Sequence, residues 1–165
     1  MYDGDPDKLR YYEKASELFF QYYHEYFDYG TVKQYQVPFQ KGYLPVMVTK
    51  AVGEQKGTIL LHGGNDSYYE ELFYPMLYLA EQGYDVYLFE GPGQGGVLRR
   101  QNMKFQYDWE KSVAAILDYF ALDDVTIIGA SLGAYLAPRA AAFERIIRQG
   151  SSNFWIGCFL PHFQG

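Results

Sequence analysis

Gly129-Ala130-Ser131-Leu132-Gly133 sets a serine in a Gly-x-Ser-x-Gly frame. The frame lies between the apolar run Val125-Thr126-Ile127-Ile128 and a helix-forming stretch from Leu132 to Glu144. A serine on a tight strand-to-helix turn is held strained with its hydroxyl exposed, which is how a nucleophile is presented. Glycines two residues either side suit a backbone that doubles back so sharply that a Cβ there would strike the neighbouring strand or helix. A chance match on a glycine-rich turn would not need a strand before it and a helix after it. The segment Gly57-Thr58-Ile59-Leu60-Leu61-His62-Gly63-Gly64 is a buried-type strand running into a second glycine turn. Such a turn leaves backbone N–H groups pointing outward, and acyl transfer needs two donors aimed at the oxygen that becomes negative in the transition state. Gly64 N–H and Leu132 N–H form the expected oxyanion pair, and losing one such donor costs about 3 kcal/mol of transition-state stabilisation. His62 stands at the strand end beside these glycines and is expected to be structural, since in a site of this kind the base follows the serine in the chain.

A third glycine motif, Phe89-Glu90-Gly91-Pro92-Gly93-Gln94-Gly95-Gly96, ends the apolar run from Asp85 to Phe89. Gly91, Gly93 and Gly96 match Gly-x-Gly-x-x-Gly, the dinucleotide-binding fingerprint. That fingerprint needs a helix to open at the third glycine and face a pyrophosphate. Val97 to Asn102 carries no clear helical apolar stripe and Pro92 lies inside the turn, so no nucleotide cofactor is expected.

These three turns must be placed by the elements around them. From Asp5 to Tyr29, Tyr11, Tyr12, Ala15, Leu18, Phe19, Tyr22, Tyr23, Tyr26 and Phe27 recur at three- and four-residue steps. The spacing predicts one amphipathic helix over 5–29, with Asp5 as N-cap, Pro6 in its first turn and Gly30 closing it. Its aromatic face is expected to dock on a sheet. Lys33 to Phe39 and Leu44 to Val52 read as a hairpin, after which strands 58–61, 85–89 and 124–128 alternate with helices 68–82, 108–121 and 132–144. Asp108 suits the N-cap of the second of these helices, and Gly83 stops the first. The expected fold is α/β, a mostly parallel sheet with helices on its faces, and all three glycine turns fall at the carboxyl ends of strands, where ligands bind in such sheets.

In order and content, "LHGGNDSYYEE", "FEGPGQGG" and "GASLGAYLAPRAAAFE" resemble the α/β-hydrolase superfamily. They are most similar to the branch with a helical amino-terminal segment that includes FrsA-like and dihydroxypseudooxynicotine-hydrolase-like enzymes. The resemblance covers about residues 57–146. It implies hydrolysis of an ester or a carbon–carbon bond in a small-molecule substrate through Ser131. It also implies that an acid after the oxyanion glycines, Glu70 or Glu71, can assist carbon–carbon cleavage. The alternative for both glutamates is that of first-turn acids complementing a helix dipole. The family order is Ser, then Asp or Glu, then His, but after Ser131 the only acid is Glu144 and the only histidine His162. Glu144 falls on the helix that follows the serine, roughly 20 Å away at about 1.5 Å per residue, and His162 has no other acid to orient it.

Past residue 148 the sequence departs from the apolar strand expected there, and residues 149–165 form an atypical tail of the kind a premature stop or frame change leaves. The expectation is therefore a single, truncated domain over 1–165. It keeps the nucleophile and oxyanion hole, lacks the carboxyl-terminal strands and a complete triad, and is catalytically incomplete. The alternative is a non-catalytic binding or interaction module that keeps the pocket and self-associates through an unpaired sheet edge at strand 124–128.

Composition narrows the partners. A net charge of −6 and a pI near 5.0 argue against binding a phosphate backbone, which depends on clustered Lys and Arg. The acidic amino end is unlike a secretory signal, and no apolar run approaches the roughly 20 residues that span a bilayer, so a cytoplasmic protein without membrane contact is expected. One cysteine, Cys158, permits no internal disulfide, and His24, His62 and His162 offer no metal-ligand spacing, so neither metal nor cofactor is expected. The 18 Tyr and 12 Phe are not interleaved with basic residues and are assigned to core packing rather than to a base-stacking platform.

Overall fold

A computed structural model of the chain describes residues 7–144. The tail 149–165, His162, Asp5 and Pro6 lie outside the described residues. A five-stranded sheet runs in the order β1-β2-β4-β3-β5. β1 (Val32–Phe39) and β2 (Gly42–Thr49) form the antiparallel hairpin. β2 runs antiparallel to β4 (Tyr84–Phe89), and β3 (Gly57–His62) lies parallel to both β4 and β5 (Thr126–Gly129). The α/β sheet with an antiparallel opening hairpin is the fold expected from the alternation of strand and helix patterns.

Side-chain alternation builds a core on each face of the sheet. Leu60, Tyr87, Phe89 and Ile127 point to one face, where α5 (Trp109–Phe120) and α6 (Gly133–Phe143) supply Trp109, Val113, Ile116, Leu117 and Leu136. Ile59, Leu61, Val86 and Leu88 point to the other, against Phe73 and Met76 of α3 (Phe73–Glu81).

The amino-terminal segment is two helices rather than one. α1 (Lys8–Tyr22) and α2 (His24–Asp28) meet at Tyr23, whose φ −101°, ψ 21° breaks the ladder, and Gly30 closes the segment at φ +73°. The break lets Phe19, Tyr23, Tyr26 and Phe27 all reach Phe73 of α3, with ring centroids 4.9–5.9 Å apart. Docking, as expected, accounts for most of the aromatic stripe.

Three other expectations need correction. The helix over 68–82 is a 3-10 turn at Tyr69–Leu72 followed by α3. Pro75 has no N–H to give the carbonyl four residues back, so the α-helical ladder cannot extend through that turn. Residues 97–102, expected to be non-helical, lie largely in α4 (Gly95–Gln101), which ends at Asn102 in the left-handed region, φ +52°. No apolar stripe is needed for so short a helix, because distant groups fix its two ends. Gly96 N–H donates to Glu90, and the Gln101 amide exchanges hydrogen bonds of 2.9 Å with Tyr43 N–H and C=O. Asp108 precedes α5 but does not cap it with its side chain; it pairs instead with Lys111 at 2.6 Å.

Candidate active site

The backbone of β5 leaves the sheet at Gly129 and reverses through Ser131, which sits at φ +57° and is exposed. That left-handed conformation in a residue with a Cβ is a strained arrangement of the kind found at functional turns. The glycines are dictated by contact. A Cβ on Gly129 would lie 2.1 Å from the Gly133 carbonyl oxygen, and one on Gly133 would lie 2.7 Å from that of Gly63. α6 is held behind the turn by Arg139, whose guanidinium bonds both carboxylate oxygens of Glu110 on α5 at 2.8 and 2.9 Å. That pairing lowers the Glu110 pKa.

The second glycine turn meets the first. Ala130 N–H donates to the His62 carbonyl at 3.0 Å, and a Cβ on Gly64 would lie only 2.5 Å from Leu132 N. Gly64 and the residue after Ser131 are therefore brought into van der Waals contact by two loops more than sixty residues apart in the chain.

His62 is fully buried between the rings of Phe89 and Trp109, at 5.2 and 5.1 Å. Its Nδ1–H donates to the Gly63 carbonyl at 2.8 Å. Burial pushes its pKa down to about 4, so the ring stays neutral at ordinary pH. It is a structural residue with no approach to solvent.

The two glutamates after the second glycine turn part company. Glu71 is exposed and accepts from Tyr68 N–H at 3.3 Å and the Ser67 hydroxyl at 3.2 Å, the work of a residue that opens a helical turn. Glu70 turns inward, accepts the Ser16 hydroxyl of α1 at 3.0 Å, and has its pKa raised by burial.

Its neighbour in that interior is Glu90, which sequence reasoning passed over. Glu90 is 1 % exposed and accepts from Tyr69 N–H (3.1 Å) and Gly96 N–H (2.7 Å). Burial, and then the nearby Glu70, push its pKa up to about 8. Gly95 has room for no side chain, since its Cβ would overlap the Glu90 carboxylate. This carboxyl occupies the start of α4, the place a pyrophosphate would take, so the Gly91/Gly93/Gly96 match is not a phosphate site even though a helix does open there.

Tyr12 reaches the same region from α1. Arg100 lies over its ring at 5.1 Å, and its pKa is raised by burial and by Glu90 and Glu70. These two side chains, with Tyr43, Tyr69 and Gln36, line a cavity of about 270 Å³ that Ser131, Gly64 and Leu132 do not line.

Among the described residues no group of His, Cys, Asp or Glu is arranged to hold a metal ion, and no helix is long and apolar enough to cross a membrane.

Comparison with known proteins converges with this geometry. Residues 58–160 match the model of the alpha/beta hydrolase family, so the match runs past residue 148, where the apolar strand pattern fails. A hydrolyase, poxO, of Penicillium oxalicum is 40% identical over 138 residues, covering 72% of this chain and 32% of its own length. The 20-hydroxy-prefusarin hydrolase FUS2 of Gibberella moniliformis is 39% identical over 136 residues, covering 71% of this chain and 32% of its own. The crystal structure of 2,6-dihydroxy-pseudo-oxynicotine hydrolase superposes with a TM-score of 0.64 at 25% identity, over 70% of this chain and 34% of that one. The chain spans about a third of the length of the curated relatives it matches. With the glycine-flanked serine turn, the adjoining glycine turn and the sheet that carries both, the chain belongs to the alpha/beta hydrolase family.

Proposed function

We propose that this chain carries the nucleophile and oxyanion half of a serine hydrolase. Ser131 Oγ attacks the carbonyl carbon of an ester, or of a ketone beside the carbon–carbon bond to be cleaved. Gly64 N–H and Leu132 N–H hold the oxygen that becomes negative, and collapse of the adduct breaks the C–O or C–C bond, leaving acylated Ser131 and a leaving group that carries away the serine proton. The observation that carries this reading is the contact of Gly64 with Leu132 beside a serine held at φ +57°. Relatives whose names specify hydrolysis, among them the 20-hydroxy-prefusarin hydrolase, support a small organic substrate. Of the two accessory acids Glu70 is favoured, because burial raises its pKa while Glu71 accepts the hydrogen bonds of its own turn.

The reading includes that these 165 residues do not turn over by themselves, because after Ser131 the sequence offers only Glu144, at the end of the following helix, and His162, with no other acid to orient it. Hydrolysis of a short-chain p-nitrophenyl ester by the purified chain tests both parts. Slow release of p-nitrophenol that drops further in Ser131→Ala is expected. Equal release in the variant removes Ser131 as nucleophile, and wild-type turnover near the ordinary enzyme value of about 10 per second removes the incompleteness.

A second reading, a binding module that associates through its sheet edge, is favoured by one observation: among the described residues β5 pairs only with β3, leaving its other edge without a strand. Light scattering at high concentration decides it, since a strictly monomeric protein contradicts edge association.

A further inference from the structure

We propose that the glycine-rich turn after β4 is the platform that aims the oxyanion donor, with Gln94 as its positioning residue; this rests on the reading of Gly64 and Ser131 given above. Gly64 N–H belongs to the rigid peptide plane it shares with the Gly63 carbonyl, and a peptide plane fixed at its carbonyl is fixed at its N–H. His62 Nδ1–H holds that carbonyl at 2.8 Å. The next plane, between Gly64 and Asn65, is held at its own carbonyl by Gln94 Nε2, which donates at 2.7 Å from a side chain that is 1 % exposed. Both torsions of a glycine, the residue with the most freedom to lose, are thus pinned by side chains, one from the end of β3 and one from the turn after β4.

Gln94 is itself held. Its Oε1 accepts from Gly91 N–H at 2.8 Å, and its backbone N–H donates to the Gly91 carbonyl at 3.0 Å. Because one partner is an N–H and the other a carbonyl, only one orientation of the amide satisfies both. Gly91 has no room for a side chain, since a Cβ there would lie 2.3 Å from the buried Trp109 ring.

The same turn grips the oxyanion loop at three further points. Gly95 N–H donates to the Ser67 carbonyl at 2.9 Å, Glu90 accepts Tyr69 N–H at 3.1 Å, and Arg99 bonds Asp66. Residues 64 to 69 are therefore laid onto residues 90 to 99 along their length. A turn that resembles a nucleotide fingerprint is occupied entirely by protein groups, and what it binds is the neighbouring loop.

The experiment replaces Gln94 with Glu, which keeps the bond from Gly91 N–H but sets a carboxylate oxygen against the Gly64 carbonyl, and with Met, which is similar in length and donates nothing. Acetylation of Ser131 by p-nitrophenyl acetate is followed by mass spectrometry over a range of ester concentrations. The expected result is a saturating acylation rate at least ~10-fold lower in both variants, with the half-saturating concentration unchanged, because a misaimed oxyanion donor acts on the transition state alone. A general loss of structure would move both constants together. Wild-type acylation rates in both folded variants overturn the proposal while leaving the nucleophile reading intact. If wild-type Ser131 takes no acetyl group, the nucleophile reading fails and the amide resonances decide the positioning: displaced Gly64 and Leu132 signals in the variants support it, and undisplaced ones overturn it. Should neither variant fold, hydrogen exchange of the Gln94 side-chain amide in the wild-type protein decides. Protection at least ~10-fold beyond that of a free amide supports the proposal, and exchange at the free rate overturns it.

Discussion

The glycine turns after β5 and after β4 sit at the carboxyl ends of two strands of one sheet, yet they use glycine for opposite purposes. After β5, glycines let the backbone fold hard against itself, so that one small side chain, Ser131, is pushed out into solvent at φ +57°. After β4, glycines make room for large polar side chains to come in, and Glu90 and Gln94 are both 1 % exposed. The first turn exposes a side chain and the second buries two; in the proposed reading the exposed one reacts and the buried ones support it. Glycine density alone does not separate the two roles; what fills the space vacated by the missing side chains does.

The contrast is broken most forcefully at the first turn. Gly129→Ala sets a methyl group 2.1 Å from a backbone oxygen that has nowhere to move. A loss of more than about 5 kcal/mol is expected, enough to remove the folded state of a marginally stable domain. Chemical denaturation of this variant should find no cooperative transition, and a wild-type-like transition would mean that the turn is looser than described.

At the second turn the expected effect is smaller and depends on pH. Glu90 has a folded-state pKa of about 8, raised by burial and by Glu70, with Tyr12, Tyr69 and Arg100 completing its surroundings. The unfolded chain releases this proton near the ordinary glutamate value, so between the two values the folded state binds more protons. The contribution of Glu90 to stability is therefore fully present below about pH 4.5 and is lost progressively as pH rises to 8, a change on the order of 5 kcal/mol. Denaturation midpoints should fall with pH between about 6.5 and 8 in the wild type and flatten there in Glu90→Gln; below 6.5 the depressed pKa of buried His62 raises stability with pH and offsets the Glu90 slope. An unchanged slope in the variant would place the titration elsewhere.

The smallest effect lies behind the first turn, at the bidentate pair of Glu110 and Arg139. Glu110→Gln should lower the melting midpoint by only a few degrees, and by less at high salt, since the pair is partly open to solvent. A larger loss would show that α6 depends on this pair more than on the packing of Leu136, Ala137 and Ala140.

What was legible in the sequence follows the same division. The serine turn announces itself locally, because strand, turn and helix are contiguous and each residue's constraint comes from neighbours within a few positions. The glycine turn at Gly63 and Gly64 was legible for the same reason. Glu90 and Gln94 were not, since their partners Tyr69 and Gly64 are 21 and 30 residues away and no local pattern links them. An acid directly between a buried strand and a glycine run was the one available signal. α4 was missed because its ends are fixed by Glu90 and by Tyr43 rather than by an apolar stripe. The division of the 68–82 segment was in principle visible in Pro75, whose missing N–H limits how far back the ladder can reach.

In the proposed reading Ser131 is the reactive group of this fold, presented to an oxyanion hole formed by Gly64 and Leu132. Peptide mapping after exposure to p-nitrophenyl acetate tests it most directly. One dominant acetyl group is expected, on Ser131, that disappears in Ser131→Ala without appearing elsewhere. Acetylation scattered over exposed lysines and tyrosines, at the same level in the variant and with none on Ser131, would contradict it.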